Sequence, residues 1–229
     1  MGEIIAGVHR VDGVNGNVYL MDFGDGGKIL IDTGMPSGLR KVERYLANMG
    51  VKPSDLKTIV LTHCHVDHVG GAAKLAERYG AKILIGELDA PYVIGDSRLP
   101  PPRGLAGVGF RLFGGLVRFE HFKPNGVLKD GDSVGRLRVV HTPGHTPGSI
   151  CLFDTETHTI FSGDALLSSG GEPSPPSKSF SLNYVEAIHS TKRMVELNVE
   201  NLCPGHGEPI VGGVSVKLRA SYEKWKMSL

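Results

Sequence analysis

His63-Cys64-His65-Val66-Asp67-His68 places three imidazoles and one carboxylate within six residues. The run just before it, Thr58–Leu61, is short and β-like. The run after it, Gly70–Tyr79, has a helical pattern closed by Gly80. The cluster is therefore expected at a strand end, immediately before a helix. A turn there can aim alternate side chains at one point. Imidazole and carboxylate suit zinc and similar first-row ions. Four ligand-type side chains in so short a stretch exceed what one tetrahedral ion readily takes, which favours two ions sharing the segment.

Working outward, three further pieces repeat one design. They are Thr142-Pro143-Gly144-His145-Thr146-Pro147-Gly148, Ser162-Gly163-Asp164 and Pro204-Gly205-His206-Gly207. Each pairs a strand end with a small-residue turn and one ligand-type side chain. Glycine and proline let the backbone turn sharply and carry a ligand close to its partners. Any one piece alone reads as an ordinary loop His or Asp. Together with the first cluster they read as one site.

The remaining pattern is a succession of short elements. Ile4–Val11, Asn17–Phe23 and Lys28–Asp32 read as strands, and Gly38–Met49 as a helix with Leu39, Val42 and Leu46 on one face. Lys82–Ile85 is the next strand. Residues 87–125 are irregular and rich in Pro, Gly and aromatics. Arg136–Val140, Ser149–Phe153, Thr159–Phe161 and Leu202–Cys203 read as strands, Gly170–Ser181 as a loop, and Tyr184–Leu197 and Val214–Lys226 as helices. Two similar halves of this kind fit two packed sheets with helices outside, in one domain spanning residues 1–229.

The set H-x-H-x-D-H, then His in T-P-G-H-T-P-G-S, then Asp in S-G-D, then His in P-G-H-G, resembles the metallo-β-lactamase superfamily. Asn17-Val18-Tyr19-Leu20 and Ile31-Asp32-Thr33-Gly34 are similar to its N-terminal strands. Val127–Asp132 and Arg136–Val140 are similar to the entry into its second half. The resemblance implies an α/β (α+β) fold, a four-layer αββα sandwich. It implies that His63, His65 and His145 hold one metal, that Asp67, His68 and His206 hold a second, and that Asp164 bridges them. Two divalent ions follow, zinc first, with iron or manganese as alternatives. Asp32 would orient the His cluster by hydrogen bonds. The expected chemistry is hydrolysis of an ester, thioester or related acyl bond by a metal-bridging hydroxide, with Asp67 and Asp164 in catalytic positions.

Substrate is less legible. By ligand pattern the chain is most similar to the glyoxalase II branch, but only one helix fits after His206, where that branch carries a glutathione-binding extension. Lactonases of the superfamily place Tyr where this chain has Leu167. Zinc β-lactamases of the usual type have Cys where this chain has Asp164. A mononuclear-iron persulfide dioxygenase and a phosphodiesterase are alternatives on the same scaffold. Residues 87–125 are expected to shape the pocket, with Phe110, Phe113 and His121 as candidates to meet substrate. The phenylalanines there, Phe119 and Phe122 included, would either form a lid or pack the loop against the domain.

Bulk properties narrow the partners. A net charge of +1 with 21% charged residues gives no basic field for nucleic acid or membrane. No apolar run spans a bilayer and the N-terminus lacks a signal-peptide layout, so a small-molecule substrate and a cytoplasmic location are expected, a homo-oligomer being left open. Cys64, Cys151 and Cys203 are isolated, which argues against a disulfide framework. Cys64 is expected to point away from the ions and pack. Gly131-Asp132-Ser133-Val134-Gly135 matches the serine-hydrolase string G-x-S-x-G, but a strand follows it where that motif needs a helix. His9, His141, His158 and His189 have no partner pattern; only His141 is near enough to His145 to support it.

Overall fold

The structure is a computed structural model that describes residues 2–24, 27–102, 104, 107 and 118–229. Its first half is a sheet of seven strands in sequential order. β1 (Glu3–Ile5), β2 (Val8–Arg10), β3 (Tyr19–Asp22) and β4 (Lys28–Ile31) form an antiparallel meander. The single strand expected over Ile4–Val11 is split, because Gly7 takes φ +75° and the Glu3 carboxylate accepts from the Gly7 N–H at 2.7 Å. β5 (Leu56–Leu61), β6 (Lys82–Gly86) and β7 (Gly126–Leu128) then add in parallel. Parallel neighbours require crossovers. These contain α1 (Leu39–Asn48), then α2 (Val66–Val69) with α3 (Ala72–Tyr79), then α4 (Ala90–Ile94).

The second sheet runs β14-β11-β10-β9-β8. Its members are β8 (Ser133–Val134), β9 (Leu137–His141), β10 (Ile150–Asp154), β11 (Thr159–Gly163) and β14 (Asn201–Pro204). All pairs are antiparallel except β11 with β14. α5 (Tyr184–Val195) and α6 (Val214–Met227) flank β14 in the chain. Ser133 lies in a β8–β9 hairpin, the strand context that excludes a nucleophile elbow. The loop expected over Gly170–Ser181 is partly ordered: β12 (Leu167–Ser169) pairs with β13 (Glu172–Ser174) around Gly170-Gly171, both at positive φ.

Alternation along the strands decides the layers. Tyr19, Met21, Ile29, Ile31 and Val60 meet Leu137, Val139, Ile150, Leu152 and Phe161 between the sheets. Their neighbours Leu20, Leu30, Ile59 and Leu61 point the other way, onto Val42, Leu46 and Leu75 of α1 and α3. In the second sheet Val140, Cys151, Phe153, Ile160 and Leu202 pack on Ile188, Met194, Val214 and Leu218 of α5 and α6. The result is the αββα sandwich. Each fully buried Leu, Ile or Phe contributes about 1.5–3 kcal/mol, and a one-residue register slip would turn a whole strand inside out.

The region read as irregular is structured at its start. α4 buries Ala90 and Val93 in the outer core, and Phe119 and Phe122 pack against the same cluster. Those two phenylalanines follow the packing alternative. Phe110 and Phe113 lie outside the described residues. Cys64 is buried in that core. Among the described residues no helix is long and apolar enough to cross a membrane.

Candidate metal centre

Both sheets deliver their chemistry at strand C-termini. β4 and β5 are parallel neighbours, so Asp32 and His63 emerge side by side. β11 and β14 are likewise parallel, so Asp164 and His206 emerge together. His145 sits in the connection between β9 and β10. Asp67 and His68 lie on α2, whose start is His65. Gly205 permits a close approach: a Cβ there would lie 2.3 Å from Asp164 Oδ1.

The structure brings together all seven donors expected from the sequence. Ligand atoms of His63, His65 and His145 lie within 4.8 Å of one another, as do those of Asp67, His68 and His206. A third group, His63, His68 and Asp164, takes one member from each triad and joins them. Asp164 Oδ1 is 3.5 Å from His68 Nε2, and its Oδ2 is 3.5 Å from both His145 Nε2 and His206 Nε2. Asp67 Oδ2 is 3.2 Å from His206 Nε2, and His65 Nδ1 is 2.9 Å from His145 Nε2.

Hydrogen bonds set the ring orientations. Asp32 Oδ2 accepts from His68 Nδ1 at 2.8 Å, leaving Nε2 toward the cluster. Asp32 also accepts from the Thr62 N–H and the Thr62 hydroxyl, each at 2.8 Å. With its proton committed there, Thr62 Oγ1 accepts from His63 Nδ1 at 3.1 Å. One carboxylate thus orients two imidazoles, one of them through a threonine. At His145, Ser181 Oγ donates to the Ser177 carbonyl at 2.7 Å and so accepts from His145 Nδ1 at 3.2 Å. Each of these three rings therefore turns Nε2 to the cluster.

Two buried atoms of the cluster, His63 Nε2 and Asp164 Oδ1, lack a hydrogen-bond partner. Buried acceptors without donors are costly, and both of these face the other donors. A cation would satisfy them, so the residues present fit bound metal ions.

The electrostatics divide the cluster. Burial, reinforced by neighbouring imidazoles, holds His63 and His145 well below the ordinary histidine value. Burial takes His65 down to about 4. His68 goes the other way: burial would lower it, but the Asp32, Asp164 and Asp67 carboxylates outweigh that and raise it to about 10. Burial lifts Asp164, against the pull of His68 and His206. Asp67 is lowered despite its burial, through the His206 hydrogen bond and the His68 charge.

His121 Nδ1 is 3.2 Å from the Val93 carbonyl and its ring lies against Phe119. His141 Nε2 bonds the Pro147 carbonyl at 2.9 Å, within the loop that carries His145. Four residues that shape the site carry no local signal in the sequence: Thr62, Ser181, Asp89 and, in its side-chain role, Asn17. Each has at least one decisive partner 25 or more residues away, Asp32 for Thr62, His145 for Ser181, Cys64 for Asp89 and Pro204 for Asn17, beyond the reach of a local pattern.

Residues 11–206 match the model of the Metallo-beta-lactamase superfamily. The chain is 32% identical over 206 residues to the uncharacterized protein YobT of Bacillus subtilis, covering 86% of this chain and 85% of that one. It is 29% identical to the probable metallo-hydrolase YflN of the same organism, covering 92% and 87%. It is 31% identical to the acyl-coenzyme A thioesterase MBLAC2 of Gallus gallus, covering 85% and 73%. Among solved structures, the metallo-beta-lactamase family protein TTHA1429 of Thermus thermophilus superposes with a TM-score of 0.73 at 25% identity, covering 99% and 80%. TTHA1623, solved in a di-iron-bound form, superposes with a TM-score of 0.67 at 27% identity, covering 95% and 98%.

Proposed function

The chain belongs to the metallo-β-lactamase superfamily, and from that membership we propose that it is a dinuclear metallo-hydrolase of acyl bonds, with thioesters as the leading substrate class. The observation that carries this reading is the pair of donor triads joined through Asp164. His63, His65 and His145 would hold one ion, Asp67, His68 and His206 the other, and Asp164 would lie between them. When bound, two divalent ions supply Lewis acidity and water that ionises near neutral pH.

The chain's own residues do the rest. The low proton affinities of His63, His65 and His145 keep their lone pairs free at neutral pH. Asp67 stays ionised beside His206. The Asp67 and His206 side chains are 25% and 36% exposed while those of His68 and His145 are 0% exposed. His65 is also partly exposed, so substrate approaches from the side of His65, Asp67 and His206. MBLAC2, named as an acyl-coenzyme A thioesterase, supports the thioester class. Zinc is the first candidate metal; the di-iron form of TTHA1623 keeps iron beside it. We place the partners of this chain among small molecules rather than nucleic acids or membranes.

Chelator-treated protein is expected to lose thioester turnover, and adding back Zn²⁺, Fe²⁺ or Mn²⁺ to restore it. The panel should include acyl-CoA thioesters, lactones, phosphodiesters and a glutathione persulfide with an oxygen electrode. Turnover confined to phosphodiesters, or oxygen uptake with the persulfide, would replace the acyl-hydrolase assignment.

Metal and proton compete for His68 Nε2. With its pKa at about 10, His68 is protonated at pH 8 in metal-free protein. Zn²⁺ binding at that pH is expected to release about one proton from this ring. Calorimetry in two buffers of different ionisation enthalpy measures it, and a heat independent of buffer would contradict it. His68 is raised above its unfolded value of about 6.5, so its contribution to the metal-free fold is full below that pH and is lost as pH rises through about 10.

A further inference from the structure

Asp89 lies between β6 and α4, outside the seven donors, and is 0% exposed. Its Oδ2 accepts from the Cys64 N–H at 2.9 Å and from the Thr146 hydroxyl at 2.6 Å. Its Oδ1 accepts from the Gly148 N–H at 2.7 Å. Cys64 separates His63 from His65, and Thr146 and Gly148 follow His145 closely in the chain. One carboxylate thus ties together the two loops that carry the first triad. The approach is close: a Cβ on Gly148 would lie 2.2 Å from the Asp89 nitrogen.

The second triad has supports of its own, and Asp32 among them also reaches His63 of the first triad through Thr62. Asp32 bonds His68 directly. The Asn17 amide donates to the Pro204 and Gly207 carbonyls, at 2.9 and 2.8 Å, on either side of His206. The Asn17 N–H also bonds the Gly205 carbonyl at 2.7 Å. The side-chain hydrogen bonds of Asp89 instead go to Cys64, between His63 and His65 in the segment that also carries Asp67 and His68, and to Thr146 and Gly148, just after His145.

We propose that Asp89 is a positioning residue that sets the geometry of the His63–His65–His145 triad, and with it the affinity of one ion position but not the other. The proposal rests on the dinuclear reading above. Its physical basis is the count of acceptors. Three donors converge on two carboxylate oxygens, and an Asn would turn one of those oxygens into a donor facing another donor. The Cys64 and Gly148 backbones would then move apart, carrying His65 and His145 out of register. Loss of such an outer partner typically lowers metal affinity by about 10–100-fold.

The test is competition of full-length protein with a chromophoric chelator for Zn²⁺ alone. H206A isolates the first triad and H145A isolates the second. D89N is expected to weaken Zn²⁺ binding by about 10–100-fold in the H206A background and to leave the H145A affinity unchanged. T146V removes a single hydroxyl from Asp89 and should give a smaller loss in the same background, which keeps the test decisive if D89N does not fold. Equal losses in both backgrounds, or none in H206A, would overturn the role assigned to Asp89. A parent protein that binds no Zn²⁺, Fe²⁺ or Mn²⁺ would instead overturn the metallo-hydrolase reading.

Discussion

Asp32→Ala is expected to destabilise the metal-free protein by about 3–5 kcal/mol, the cost of breaking a buried charged network by removing one partner. Asp32 is 2% exposed and accepts three hydrogen bonds, from the Thr62 N–H, the Thr62 hydroxyl and His68 Nδ1. Alanine leaves all three buried donors without an acceptor, at about 1–3 kcal/mol each before relaxation. The backbone adds to the loss. Asp32 sits at φ +60°, a conformation Asp tolerates and Ala does not. Asp32→Asn keeps the backbone preference and the volume but offers one accepting oxygen, so its loss should be smaller. Urea unfolding of chelator-treated protein measures both. An Ala variant with the parent's midpoint would show that this carboxylate does not hold the site together. The same substitution frees the His68 and His63 rings to rotate, so metal binding should weaken along with the fold.

Asp164→Asn is expected to have the opposite balance. Thioester turnover should fall by about a thousandfold or more in kcat/KM, roughly 4 kcal/mol of transition-state stabilisation. Asp164 is the donor placed within reach of both triads, and an amide presents them one neutral oxygen and no charge. Stability should hold or rise. Burial disfavours the Asp164 charge, and the Asp67 and Asp32 carboxylates add repulsion that His68 and His206 do not fully offset. A neutral side chain of the same shape removes that cost. Active sites commonly trade stability for function in this way. Steady-state kinetics beside urea unfolding distinguishes the two effects. A variant that keeps full turnover would remove Asp164 from the catalytic centre, and one that unfolds more readily would show that its charge is stabilising.

The seven donors were legible because each sits on a local signal. His63, His65, Asp67 and His68 crowd one strand-to-helix junction, and His145, Asp164 and His206 each follow a small-residue turn at a strand end. Asp32 was legible as a strand-end carboxylate. Asp89 was not. It fell inside a stretch read as irregular, and α4, only five residues long, is too short to show a helical period. Its partners are 25, 57 and 59 residues away. Asn17 reads as part of a strand, but its bonds reach 187 and 190 residues along the chain. The split of Ile4–Val11 turned on one glycine at positive φ inside an otherwise apolar run.

The sequence by itself determined the kinds of donor, their delivery at strand ends, and the two-sided strands that stack into four layers. These follow from local chemistry and a two-residue period. Only the tertiary structure decided which nitrogen of each ring faces the cluster and which proton affinities rise. Those depend on third groups brought in by folding: Ser181 behind His145, Asp32 behind His68, and Asp164 between triads whose members lie up to 139 residues apart, as from Asp67 to His206. A hydrogen bond acts over about 3 Å of space, and no local pattern records which distant residue will fill it.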